Sequence, residues 1–343
     1  MKKDLLNLLN NVTEEGEFQP ENERILLLDG LNLFFRNFSA INAVNSKGIH
    51  IGGLGGFFRS LGFLINNIQP TQVYVVMDGV DSSNSRKNII PEYKSGRNQT
   101  RITKHELFDN LDEEDDSKVN QIVRIIQYLE TLPVKTISLP RVEADDVISH
   151  IATTSTNSPD DRVFIVSSDK DYLQLVSDQI IVYRPIEKEY YTPQTVFDKF
   201  GCPPHNFILY KLLMGDSSDK IEGVKGLGPK KLYKYFPELK EKPLSFNDLL
   251  DIAGEKLEEH VIYARVVHSI TQLKDKYKVM DLSNPMMSDE QKQEVNEIVR
   301  DTNLNFYPEG FIQMCHEDQL GNLIRNVETW VYNIFKDLLE KQN

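Results

Sequence analysis

Apolar residues early in the chain fall in short runs: Ile25–Leu28, Val73–Met77, Val134–Leu139, Val163–Ser167 and Ile180–Tyr183. Each is aliphatic or β-branched and lacks strict polar alternation, as suits strands buried on both faces of a parallel sheet. Between them, apolar positions recur at helical spacing over about 54–67, 118–131 and 143–152. Strand and helix therefore alternate from 24 to 192, which predicts an α/β core: a mostly parallel central sheet with helices on both faces. Residues 84–117 interrupt the alternation with a charged segment too polar for a core. From about 193 the strand pattern stops. Ile262, Val266, Ile270 and Leu273 repeat at close to helical spacing, and Trp330–Leu339 is amphipathic. The expected organisation is a polar extension at 1–23, an α/β core at 24–192 with an insertion at about 84–117, a helical region at 193–282 and a helical C-terminal region at 283–343.

Composition narrows the class. With 40% hydrophobic and 27% charged residues, the 343-residue chain is ordinary globular material, which excludes wholesale disorder. Two cysteines, Cys202 and Cys315, exclude a disulfide framework or a four-cysteine zinc site and point to a reducing, cytoplasmic setting. No apolar run approaches the roughly 18 residues of a membrane span. The opening MKKDLLNLLNN is interrupted by Asp4 and Asn7 and reads as a surface helix or tail rather than a signal peptide. The net charge of −13, taken alone, disfavours a polyanionic partner.

The position of the acids changes that reading. In an open α/β sheet, ligands bind at the carboxyl ends of the strands. Three predicted strands deliver aspartates there: Asp29, Asp78, and the pair Asp169 and Asp171. Any one of them has a bland alternative as the N-cap of the next helix. Together they would repel one another strongly unless cations neutralise them. VEADD adds Glu143, Asp145 and Asp146, and GDSSD adds Asp216 and Asp219, each with its own plain explanation as a helix start or a turn. Ligation by carboxylate oxygens alone suits Mg2+ or Mn2+ rather than zinc. Paired divalent ions are the usual device for phosphodiester hydrolysis.

Two segments reverse the global charge. Residues 84–104 carry Arg86, Lys87, Lys94, Arg97, Arg101 and Lys104 against the single acid Glu92, with Tyr93 placed to stack on a base. GVKGLGPKK places Gly223, Gly226 and Gly228 in a turn ahead of Pro229, with Lys225, Lys230 and Lys231 beside it. Such a turn can offer N–H groups to a phosphate or carbonyls to a monovalent cation. Residues 106–116, in contrast, hold seven acids and no base. Setting those seven and the nine candidate site carboxylates aside leaves −13 + 7 + 9 = +3. The negative total therefore does not count against a nucleic-acid substrate.

In family order, LLLDGLNLFFR, VVMDG, EYKSGR, VEADD, SSDKD, GDSSDKIEGV and GVKGLGPKK resemble the motifs of the flap endonuclease / 5′→3′ exonuclease family. The similarity is greatest to the stand-alone phage 5′ nucleases, the branch of the T-even phage ribonuclease H. The resemblance implies that Asp78, Glu143, Asp145, Asp146 and Asp169 surround a first Mg2+ or Mn2+, directly or through water. Asp171, Asp216 and Asp219 would hold a second ion, with Asp29 in the outer shell near both. It also implies that Lys94 and Arg97 stand at the base of a helical arch and contact the scissile phosphate, with Tyr93 stacking. Arg86, Lys87 and Arg101 would line the DNA path. The glycine turn would be a helix–three-turn–helix element that binds duplex DNA, with K+ as a further ligand.

The implied activity is that of a monomeric, structure-specific 5′ nuclease. It would remove RNA primers and 5′ flaps in replication, acting on branched or nicked duplex DNA and RNA–DNA hybrids. Two other functions compete with it, a PIN-type ribonuclease and a catalytically silent DNA-junction binder. Haloacid-type phosphoryl transfer fails, because its second aspartate would fall at Leu31. The face Trp330, Val331, Ile334, Phe335 and Leu338 suits either core packing or docking of a single-strand-binding protein.

Overall fold

The computed structural model describes residues 22–95, 101–217 and 219–342. Six strands form one sheet: β1 (Arg24–Asp29), β2 (Gln72–Val76), β3 (Lys135–Ile137), β4 (Arg162–Val166), β5 (Ile180–Arg184) and β6 (Glu189–Tyr191). They lie in the order β3-β2-β1-β4-β5-β6, with every pairing parallel except β5 with β6. The five expected strands are all present. The short antiparallel edge strand β6 was not anticipated.

Both faces of the sheet are covered, as the unbroken apolar runs require. Leu26 and Leu28 of β1 pack into one core with helices α1 (Gly30–Ala40) and α2 (Gly52–Ile68). Ile25 and Leu27, pointing the other way, join a second core. After the single turn α3 (Asn84–Lys87), α4 (Leu111–Leu129) lies on the first face and α5 (Ala144–Thr154) on the second. Helix α4 begins at Leu111, well before the expected 118. Asn110 caps it by accepting the Glu113 N–H at 2.9 Å, and Asp112, Glu113 and Glu114 occupy its first turn. The acidic run is thus largely a helix N-terminus, where negative charge is favoured.

Beyond the sheet, α6 (Pro193–Phe200) leads into a third core. It is built from α7 (Phe207–Met214), α8 (Pro229–Tyr235), α9 (Glu238–Glu241), α10 (Phe246–Glu255), α11 (Val261–His268) and α12 (Ile270–Met280). Strands do not stop entirely at 193: Gly215–Asp216 (β7) and Ile221–Glu222 (β8) form a two-stranded antiparallel ribbon. The expectation that 84–117 lies outside any core also fails, because Arg86, Tyr93, Lys104 and Glu114 are buried.

Helix α13 (Asp289–Arg300) covers the second face of the sheet, while α14 (Pro308–Asp318) and α15 (Val327–Gln342) return to the first. Phe311 of α14 sits in a ring cluster with Phe58 and Tyr128 at centroid distances of 5.3 and 5.0 Å. Val331, Ile334, Phe335 and Leu338 are buried in the same core and Trp330 is packed against it, so this chain itself covers the face considered for a single-strand-binding protein. Among the described residues, no helix is long and apolar enough to cross a membrane.

The packing of α15 sets an expectation for stability. Phe335→Ala should destabilise the protein by about 3–5 kcal/mol, the usual cost of emptying a phenylalanine site. The urea midpoint measures it, and an unchanged midpoint would mean that α15 is a detachable docking element.

Candidate active site

Because β1, β2 and β4 run parallel, their carboxyl ends meet at one edge. Asp29 pairs in register with Val76, two residues before Asp78, and Leu28 pairs with Val166, three before Asp169. The loop after β3 brings Glu143 to the same edge as the N-cap residue of α5. The sheet order changes direction between β1 and its neighbours there, the usual ligand crevice of open α/β sheets.

Asp29 takes the N-cap role considered for it. Its Oδ1 accepts the Asn32 N–H at 3.1 Å and caps α1, while Oδ2 accepts the Ser167 hydroxyl at 3.0 Å. Burial, then the charges of Asp78 and Asp169, push its carboxyl up to about 7 against the relief given by Asn32. Asp78 accepts the Ala144 N–H at 2.7 Å and so fixes the start of α5. Asp169 Oδ1 accepts the Asp171 N–H at 2.9 Å. Burial raises the Asp169 pKa, Lys211 opposes that rise, and Asp145 and Asp216 add to it. These side chains belong to one electrostatic neighbourhood.

Arg86 is the largest surprise. Expected on the DNA path, it is 2% exposed and lies under the acidic helix. Its guanidinium grips Asp146 at 2.6 and 3.0 Å, stands 3.1 Å from Glu143 and 3.4 Å from Asp145, and donates to the Val279 carbonyl at 3.0 Å. Burial opposes its charge, but Asp145, Asp146 and Glu143 overcome that and hold its pKa well above the ordinary arginine value. The remaining contact of Asp146 is the Met286 N–H at 2.8 Å. Both of its oxygens are thus taken, and in this arrangement it anchors Arg86.

Tyr93 is likewise interior, 3% exposed, where base stacking was expected. Its hydroxyl donates to Glu143 Oε2 at 3.1 Å, and burial raises its pKa. Lys94 adopts the left-handed backbone conformation, φ 53°, which a non-glycine residue seldom takes without a reason. Its Nζ meets Glu143 Oε2 at 2.8 Å and its N–H reaches the Asp219 carbonyl at 3.4 Å. Lys94 thereby spans the two groups of acids. Arg97 lies outside the described residues.

The second group is compact. One carboxylate oxygen each from Asp171, Asp216 and Asp219 lie within 4.8 Å of one another. Gly215, φ 83°, makes the turn possible: a Cβ there would fall 2.4 Å from the Gly223 nitrogen. Gly223 is equally confined, since its Cβ would meet the Met214 carbonyl carbon at 2.4 Å. Asp216 and Asp219 therefore face each other across the β7–β8 turn, the turn reading of GDSSD rather than the helical one. Lys211 of α7 was missed from the sequence. It is buried, and its ammonium contacts Asp171 and reaches Asp216 at 2.5 Å. A single lysine inside the apolar run Ile208–Met214 was the available signal.

Divalent cations fit these residues. Glu143 Oε1 is buried with no hydrogen-bond donor, an expensive state for an anionic oxygen unless a cation satisfies it, and Asp145 Oδ1 has only the Arg86 guanidinium at 3.4 Å. All candidate donors are hard carboxylate oxygens, as Mg2+ and Mn2+ prefer. Lys225, Gly226, Lys230 and Lys231 are exposed together on the glycine turn, and Lys87 and Arg101 are also exposed. Gly226 needs its φ of 85°, whereas Gly228 has extended backbone and open space around it.

The fold has counterparts among solved structures. A solved structure of the T5 5′-exonuclease with divalent zinc ions bound superposes with a TM-score of 0.62 at 19% identity, covering 94% of this chain and all of that one. A second, the T5 flap endonuclease in a pseudo-enzyme-product complex with DNA and metal ions, gives 0.61 at 18% identity, covering 87% and 100%. At these identities the likeness concerns the fold.

The sequence goes further: residues 24–201 match the 5′-3′ exonuclease N-terminal, resolvase-like domain, and the chain belongs to that family. The 5′-3′ exonuclease of Aquifex aeolicus is 34% identical over 207 residues, 60% of this chain and 66% of that protein. The 5′-3′ exonuclease of Bacillus subtilis is 31% identical over 227 residues, 63% and 71% respectively. DNA polymerase I of Bacillus subtilis is 33% identical over 247 residues, 70% of this chain but 26% of the polymerase. The chain thus spans about a quarter of the polymerase and about two thirds of the exonucleases.

The raised carboxyls make stability depend on both pH and metal. Between about pH 4 and 7, metal-free folded protein keeps a proton on Asp29 that the unfolded chain has released, so folding is favoured less as pH rises. Glu143, Asp146 and Asp169, also raised by burial, act in the same direction. Mg2+ should therefore raise Tm more at pH 8 than at pH 5, as thermal melts with and without EDTA would show. Equal increments would contradict a cation site among these groups.

Proposed function

We propose that this chain is a divalent-metal-dependent 5′ nuclease, cleaving phosphodiester bonds at 5′ ends of duplexes and at the base of 5′ flaps. Its substrates would be branched or nicked DNA and RNA–DNA hybrids, its products would carry 5′-phosphates, and its work would be the removal of flaps and RNA primers in replication. The observation that carries this reading is two neighbouring groups of carboxylates, one at the sheet edge and one at the β7–β8 turn, with Lys94 contacting the Glu143 carboxylate and the Asp219 backbone carbonyl and with a buried Glu143 oxygen that lacks a donor.

Glu143, Asp145 and Asp169, with Asp78 beside them, would hold one Mg2+, and Asp171, Asp216 and Asp219 the other. Bound there, the ions would activate water and neutralise charge on an in-line phosphoryl transition state. The protein's own groups define the rest. Arg86 and Tyr93 hold Glu143 in a fixed rotamer, so that its free oxygen is presented rather than mobile. Lys94, at the junction of both groups, is placed to grip a non-bridging phosphate oxygen, and its constrained backbone limits where that grip can fall. Asp29 and Ser167 brace the strand ends from behind.

Duplex binding is assigned to the exposed lysines of the glycine turn, whose contacts with a phosphate backbone would be sequence-independent. A potassium ion on that turn would have to displace cationic side chains already present. The Lys225 carbonyl accepts Arg265 Nη1 at 2.5 Å, and the Gly226 carbonyl accepts Lys231 Nζ at 3.4 Å.

Cleavage of a 5′-labelled flap in Mg2+ tests the proposal. Asp216→Asn combined with Asp219→Asn should lower turnover by about a thousandfold while leaving flap binding in place. Undiminished turnover would contradict the assignment of the second group, and preference for single-stranded RNA over branched duplex would favour a PIN-type ribonuclease.

A further inference from the structure

Lys211 occupies a place that the proposed chemistry reserves for a divalent ion. It arises from the apolar helix α7, between Tyr210 and Leu212, and its side chain is 8% exposed. The ammonium contacts Asp171 and stands 2.5 Å from Asp216, two of the three acids whose oxygens gather within 4.8 Å. A buried ammonium is tolerated only when paired, and clustered buried carboxylates need a counter-charge; here each satisfies the other. The same carboxylate oxygens cannot serve an ammonium and a hard divalent ion fully at once, and two cations within a few ångströms repel. Lysine carries its charge on a flexible four-carbon stem, so it can withdraw where a rigid guanidinium could not. By contrast, Arg86 grips Asp146 through two parallel hydrogen bonds and is fixed from behind by the Val279 carbonyl.

We propose that Lys211 is an internal counter-ion of the second carboxylate group, holding Asp171 and Asp216 together in the metal-free protein and being displaced when a divalent ion enters. The inference rests on reading Asp171, Asp216 and Asp219 as ligands of such an ion. It makes Lys211 a positioning residue that weakens the second ion site. The displaced ammonium remains tethered beside that site, where an incoming phosphate would give it a new partner. Occupancy by the second ion is thereby coupled to the arrival of substrate.

Calorimetric titration of the full chain with Mn2+ compares wild type with Lys211→Met. Two binding steps are expected in the wild type, the weaker of which tightens about tenfold in the variant. The metal-free Tm of the variant should fall, and saturating Mn2+ should restore it. A folded variant whose weaker step is unchanged or further weakened overturns the inference alone. A wild-type isotherm with a single step contradicts the two-group reading of the site, and the inference falls with it. If Lys211→Met does not fold, acetylation of Lys211 in wild-type protein by acetic anhydride, read by peptide mass spectrometry, decides the matter. Several-fold faster labelling with Mn2+ supports displacement, and an equal or slower rate overturns it.

Discussion

Arg86 donates to Asp146, lies within ionic reach of Glu143 and Asp145, and is tied to the backbone of Val279. Much of the molecule is arranged around that guanidinium. Acids concentrated at one sheet edge repel one another and lose solvation, and the fold survives only if counter-charges come with them. Arg86 and Lys94, from the segment after β2, serve the α5 group; Lys211, from α7, serves the β7–β8 turn. Backbone donors at Asn32, Ala144, Asp171 and Met286 complete the set. The same contacts hold the helical region against the sheet, since Val279 and Met286 lie far along the chain from Arg86 and Asp146. Electrostatic necessity at the site and assembly of the two regions are one requirement.

This explains which features were legible in the sequence. The five main strands were readable because strands buried on both faces leave unbroken apolar runs, as Ile25–Leu28 shows. The carboxylates were readable because parallel strands end on one edge, so Asp29, Asp78 and Asp169 converge without any knowledge of the loops. The roles of Arg86 and Tyr93 were not readable. A basic, polar segment looks solvent-exposed until its tertiary partners are known, and those partners lie dozens of residues away in sequence. The acidic run 106–116, in contrast, has a local explanation: Asn110 followed at the third position by Glu113 is a helix-start signature.

The family match ends at residue 201, so much of the second acid group and all of the C-terminal cover lie beyond it. Asp216, Asp219 and Lys211 come from a region where the helical packing of the third core, rather than the sheet, sets the geometry. The return of α14 and α15 onto the first face puts the C-terminal residues into the nuclease core itself.

The central claim is that the two acid groups are separate cation sites of one centre. Anomalous diffraction from crystals grown with Mn2+ tests it most directly. The account predicts two peaks, one among Asp78, Glu143, Asp145 and Asp169 and one among Asp171, Asp216 and Asp219, with none between Arg86 and Asp146. A single peak, or a manganese ion bound by Asp146 in place of Arg86, would contradict it.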